Sequence, residues 1–220
     1  MGFGQWWRDA KLSFALLGPF GGMRALPAAP RQTVRELWPG DASAGELLVR
    51  GKASHAGVVR GFQDGQWTGA DWPDEFRNWF QSFEWLRDLR ELGSESARLC
   101  ARALVADWIA QPIGSAQLED PAITGARIAT WLAHYDFFAA SADDDYRRAL
   151  LARIAAEART IMALMPTNRH DWSALRALQG PLAAAIAIHQ QRRSLFCYLS
   201  FLFSPLAPHF LSHIHISPFP

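Results

Sequence analysis

The chain has 220 residues with 22 basic and 21 acidic side chains, and the formal charge of +1 gives no electrostatic basis for binding nucleic acid. Half of the residues are hydrophobic and a fifth are charged, which excludes a disordered chain and allows one or two domains with a real core. Two cysteines, Cys100 and Cys197, supply neither a disulfide framework nor a CxxC zinc pattern, and no cofactor is expected.

Residues 1–70 read as an irregular N-terminal arm. Arg8 and Lys11 precede an apolar stretch from Phe14 to Phe20, but Gly18 and Pro19 interrupt it and no small-x-small cleavage site follows. A secretory leader is therefore not expected, and the cytoplasm is the default compartment with the periplasm as the alternative. Prolines at 19, 27, 30 and 39 oppose long helices. Short strands or extended arms are expected at Leu47–Val49 and Ala56–Phe62.

From residue 71 to 193 the period becomes helical. Asp71 and Pro73 open a first helix whose Phe76, Trp79, Phe80, Phe83, Leu86 and Leu89 follow three- and four-residue spacing to Gly93. Ser94 caps a second, with Ala97, Cys100, Leu104 and Trp108 in a stripe. A third is expected from Pro121 to Ala140, with Ile128, Trp131, Leu132, Tyr135 and Phe138 on its apolar side. Asp143 opens a fourth that Pro166 stops. Asp171 caps a fifth, where Leu175, Leu178, Leu182 and Ile186 continue the apolar pattern. The sum is an all-α domain of antiparallel helix pairs, about 40 to 45 residues per pair, arranged as a solenoid or an α/α toroid.

Residues 194–220 differ from everything before them. They hold no charged side chain, and five Phe, five Leu, five Ser, four Pro and three His make up most of the segment. Leu195–Leu211 is the nearest approach to a membrane span, but Pro205 and Pro208 break it, so no membrane anchor is expected. The helix that should pair with the fifth would begin near Arg192, where this segment stands instead. The expectation is a frameshifted or otherwise foreign terminus, poorly ordered.

Several motifs fall in a telling order: Leu37-Trp38-Pro39-Gly40-Asp41, Trp72-Pro73, Phe83-Glu84-Trp85-Leu86-Arg87-Asp88-Leu89-Arg90, Ala106-Asp107-Trp108-Ile109 and Trp131-Leu132-Ala133-His134-Tyr135-Asp136-Phe137-Phe138. Over Trp38 to Leu182 the chain resembles the N-terminal helical part of bacterial heparinase II/III-like proteins, in particular their alphaproteobacterial branch. The resemblance implies a partial α/α toroid from a polysaccharide lyase-like protein, in which a β-sandwich follows the toroid and the sugar cleft runs between them. Such enzymes cleave uronic-acid-containing polysaccharide by β-elimination, so an acidic polysaccharide is the implied partner. The chain is too short for a complete toroid and a sandwich, which makes it a truncated relative expected to be inactive by itself. A non-catalytic helical scaffold for a glycan or a protein is the alternative.

Under that resemblance His134 and Tyr135 are the candidate catalytic residues, Tyr135 as acid or base and His134 as the group that neutralises the carboxylate or accepts the proton. By helical pattern alone Tyr135 belongs to the core, and His134 falls off the apolar stripe toward a polar face. Asn168, Arg169 and His170, at a loop tip, and Trp79 are the candidate substrate-binding residues; a plain polar loop and a core tryptophan are the competing readings. Trp85, Trp108 and Trp131 share Trp79's ambiguity between sugar platform and core. Arg87 and Arg90 read as an ion-pair face. Asp143-Asp144-Asp145 lacks calcium-loop spacing and reads as a helix cap. His209, His213 and His215 have no acidic or cysteine partner at metal-site spacing, and no metal site is assigned.

Overall fold

A computed structural model describes residues 26–33, 35–63, 65–113, 120–164 and 171–188. Its elements are α1 (Ala42–Val49), β1 (Lys52–His55), β2 (Val58–Gly61), α2 (Asp74–Ser82), α3 (Leu86–Leu92), α4 (Glu95–Ala110), α5 (Pro121–Ala133), α6 (Tyr135–Phe138), α7 (Asp144–Leu164) and α8 (Trp172–Ile188). The described chain is mostly helical, with one small antiparallel sheet. None of these helices is long and apolar enough to cross a membrane.

Leu47–Val49 belongs to α1 and is not a strand. Asp41 caps this helix, its Oδ1 accepting from the Ser43 N–H at 2.8 Å. The Asp41 N–H in turn donates to Asp88 Oδ1 at 2.9 Å, tying the start of α1 to α3. Gly40 and Gly45 let the two helices touch: a Cβ at those positions would lie 2.2 Å from Arg87 O and 2.5 Å from Asp88 O. Extended structure does occur within Ala56–Phe62, where β2 pairs with β1 in the register Ala53↔Arg60 and His55↔Val58. Ala56 and Gly57, at φ +49° and +77°, make the tight turn between them.

The helix expected from Pro73 to Gly93 is two helices. Phe83 ends α2 in the left-handed region at φ +62°, and α3 begins at Leu86. The kink lets both Phe83 and Trp85 point into the core, where neither is exposed. Trp85 Nε1–H donates to Phe80 O at 2.9 Å, satisfying a carbonyl near the end of α2. Asp71 is not the cap of α2, whose N-cap residue is Pro73 and which has no side-chain cap; the Asp71 carboxylate instead pairs with Arg60 at 3.2 Å. The third expected helix also breaks, at His134, whose φ of −108° ends α5 before the single turn of α6.

Three caps match expectation. Ser94 Oγ accepts from Ala97 N–H at 3.1 Å, Asp143 Oδ1 from Tyr146 N–H at 2.7 Å and Asp171 Oδ1 from Ala174 N–H at 2.9 Å. The neighbours of Asp143 are held by arginines, Asp144 by Arg147 and Asp145 by Arg148.

One aromatic core joins these elements. Phe83 lies against Trp67, Trp85, Trp108 and Trp131, with ring centroids 5.0 to 5.6 Å apart. Trp67 reaches into it from the loop before α2 and donates its Nε1–H to Asp107 Oδ2 at 2.7 Å.

The pairing of α5 with α8 overturns the apolar face expected of the fifth helix. What α8 buries is its small-residue side: Ala174, Ala177, Gly180, Pro181, Ala184 and Ala187. A Cβ on Gly180 would lie 2.7 Å from Gly125 O, and one on Gly125 would lie 2.4 Å from Arg176 O, so the helices meet backbone to backbone. At that separation there is no room for leucines between them. Leu175 and Leu182 therefore point outward, 62% and 43% exposed.

A candidate binding groove

The outward side of α8 forms one wall of a groove of about 820 Å³. Ala126, Ala129 and Ala133 of α5 supply the floor, and the segment 35–38 supplies the opposite wall. Trp38 and Trp172 stand at its rim, 75% and 76% exposed. Along α8 the exposed stripe runs Trp172, Leu175, Gln179 and Leu182, with Ile186 partly covered, at three- and four-residue intervals. A helix whose two faces are both apolar is ordinarily enclosed on both sides.

The charges around this groove are largely neutralised within the protein. Glu84 pairs with Arg176, and Arg87 lies 3.7 Å from Asp88. Glu36 accepts a 2.7 Å hydrogen bond from His134 Nε2, which holds the 35–38 segment against α5. Arg35 is exposed at the rim. Burial pushes the Asp88 carboxyl above its ordinary range, and the Asp41 N–H and the Arg87 charge only partly oppose that shift.

The two candidate catalytic residues differ in outcome: His134 is not where the helical pattern put it, while Tyr135 takes the core position that the pattern gave it. His134 does not sit on a polar surface: it is 3% exposed, because the break between α5 and α6 turns its ring inward under Glu36. Its Nδ1 has no hydrogen-bond partner among the described residues. Tyr135 packs in the core at 5% exposure, its hydroxyl also without a partner there, and burial raises its pKa. Trp79 is buried with its ring stacked on His55 at 4.5 Å, an arrangement that fixes the hairpin on α2. Trp85, Trp108 and Trp131 are also core residues. Asn168, Arg169 and His170 lie outside the described residues, as do His209, His213 and His215. Arg90 is ion-paired, but with Asp136 of α6 rather than along its own helix face with Asp88 or Glu91, in a two-pronged contact at 2.7 Å per bond.

Reasoning from the sequence missed a buried charge network behind the groove floor. Glu157 on α7 receives Arg127 Nε at 3.1 Å and Arg153 Nε at 2.7 Å, with Trp108 Nε1 at 3.3 Å. Arg127 and Glu157 are both 1% exposed. Arg127 also donates to Gln81 O and Thr124 Oγ1, and its guanidinium lies 4.4 Å over the Trp108 ring. Desolvation lowers the Arg127 pKa while the Glu157 carboxylate opposes it. With its donors satisfied on every side, this network is a structural tie between α2, α4, α5 and α7 rather than a site open to ligand.

Comparison with protein-family models, with curated proteins and with solved structures returns no match to this chain.

Proposed function

We propose that the chain is a non-catalytic helical scaffold, the ligand-holding part of a heparinase II/III-like polysaccharide lyase with a partial α/α toroid, and that its working surface is the groove between α5, α8 and residues 35–38. The observation that carries this reading is the pair of open indole faces, Trp38 and Trp172, at the rim of one groove that also presents the exposed Arg35. A uronate chain has sugar faces to stack on the former and carboxylates to meet the latter. The reading includes no activity from this chain alone, and the burial of His134 and Tyr135 supports that part of it, since an acid–base group must reach the proton it moves.

Titration with uronate oligosaccharides, followed by tryptophan fluorescence, tests the reading. Binding should weaken about tenfold or more in Trp38→Ala and Trp172→Ala, a loss of ~1.4 kcal/mol. Incubation with uronate polymers should yield no unsaturated product by ultraviolet absorbance. Product formation by the purified chain, or binding indifferent to both tryptophans, would sink the proposal. A protein segment is the second reading, favoured by the apolar stripe of α8, and saturable binding of peptides but not uronates would select it.

A further inference from the structure

The groove wall at residues 35–38 belongs to a stretch without secondary structure that runs up to Asp41, whose N–H is fixed on Asp88. From residue 35 to 40 no backbone group is hydrogen-bonded to another backbone group among the described residues. Arg35, Leu37, Trp38 and Pro39 are all exposed, Leu37 at 89%, so apolar burial does not hold the stretch in place. Its far end is seated by Gly40, where a Cβ would lie 2.2 Å from Arg87 O. Ahead of that end Glu36 turns inward, and its carboxylate accepts from His134 Nε2 at 2.7 Å.

From this arrangement we infer that residues 35–40 are a strap that opens and closes one side of the groove, with Glu36 and His134 as its catch. These two are positioning residues, because their bond sets where Arg35 and Trp38 stand. The catch is built from below. The break that ends α5 turns the His134 ring under the strap, while the His134 N–H stays bonded to Thr130 O at 3.0 Å. The ring therefore remains with α5 when the strap lifts. A carboxylate can only accept, so the bond requires the proton on Nε2. Nδ1 has no partner, which leaves Glu36 as the hydrogen-bond partner of this ring among the described residues. The two side chains are 3% and 22% exposed, so water competes poorly for the bond while the strap is down. Without Glu36 the Nε2–H would be buried and unsatisfied, and lifting the strap is what gives it water. Six residues seated at one end and latched by one side chain open locally while the rest of the fold stays intact.

The strap matters to a ligand only if the groove is the working surface, as assigned above, but its opening is read without any glycan. Trypsin supplies that reading at Arg35, since a seated segment does not enter a protease cleft and a lifted one does. In the full chain, cleavage after Arg35, followed by mass spectrometry, should be at least about tenfold faster in Glu36→Ala than in Glu36→Gln. Glutamine keeps an acceptor for the His134 Nε2–H, and both variants place an uncharged side chain after the cut bond. His134→Phe leaves the cut site unchanged and should be cleaved at least about tenfold faster than the parent. If that buried variant does not fold by circular dichroism, the Glu36 pair decides. Cleavage after the exposed Arg50, at the end of α1, should not change. Equal Arg35 rates in the two Glu36 variants overturn the inference, and so does a parallel rise at Arg50, which marks general loosening. Titration with uronate oligosaccharides then separates the two readings. Expected cleavage rates with no binding by the parent would leave the strap standing and remove the glycan. Binding of equal strength in Glu36→Ala and Glu36→Gln would overturn the positioning role.

Discussion

Replacing Gly125 by alanine should destabilise the protein although it improves the helix propensity of α5. The added methyl would lie 2.4 and 2.5 Å from the Arg176 and Ala177 carbonyl oxygens and 2.7 Å from Ala177 Cα. Ordinary van der Waals contact begins near 3.4 Å, so α5 and α8 must part by about 1 Å along their closest line. Overpacking of this kind costs about 1–3 kcal/mol, whereas Gly to Ala within a helix returns about 0.8–1 kcal/mol. The strain should win, because the obstructing atoms are backbone and cannot rotate away. The difference is a net loss of up to about 2 kcal/mol, which corresponds to a Tm lower by up to about 8 °C for a chain of this size. Thermal and urea unfolding by circular dichroism measure it. Gly180→Ala should act in the same direction, since its Cβ meets Gly125 O at 2.7 Å. The double variant should lose less than the two losses added together, because the first separation makes room for the second methyl. Either single variant matching or exceeding the parent in stability would refute backbone-to-backbone packing of these helices.

Other substitutions probe the charges. Glu157→Gln should cost about 3–5 kcal/mol in urea unfolding, because it strands Arg127 and Arg153 in the interior; a loss below about 1 kcal/mol would remove the network from the list of structural ties. Asp88→Asn should show a pH signature. Burial raises the folded-state pKa of Asp88 above its unfolded value, so its favourable contribution is complete below the unfolded pKa and is lost as pH rises through the folded pKa. The asparagine keeps an acceptor for the Asp41 N–H, so stability relative to the parent should rise as pH increases from the unfolded carboxyl pKa toward neutrality; a difference independent of pH would contradict the assignment. Tyr135→Phe should leave stability within about 1 kcal/mol of the parent, since the hydroxyl has no partner among the described residues, and a larger loss by urea unfolding would reveal one.

Caps were the most legible part of the fold. Ser94, Asp143 and Asp171 each stand just before an apolar period and each accepts a backbone N–H at a helix start. The breaks at Phe83 and His134 were not legible, because apolar spacing runs through both and neither residue is a glycine or proline. α1 was hidden by its length of eight residues and by the run Leu47-Leu48-Val49, which suits either state. On α8 the pattern revealed the leucine stripe but assigned it to the wrong side: close packing on Gly125 selects the alanine face for burial. The charge network left a faint trace. Leu150, Arg153, Ile154, Glu157 and Ile161 share one helical stripe, and charges embedded in an apolar stripe mark a buried pair. The groove left none, because its wall at Glu36 and Trp38 joins α5 and α8 only through tertiary packing.

The network around Glu157 also sets an order of assembly on the chain as it is synthesised. Gln81, Trp108 and Arg127 all emerge before Glu157, so a nascent chain ending anywhere before α7 has no carboxylate to neutralise Arg127 inside its aromatic core. In the finished fold the Arg127 guanidinium lies 4.4 Å over the Trp108 ring and 5.8 Å from the Trp131 ring, so burying it among them before Glu157 is in place would cost the desolvation of an unpaired charge. A single acidic residue late in the sequence thereby makes the earlier helices depend on synthesis having passed it.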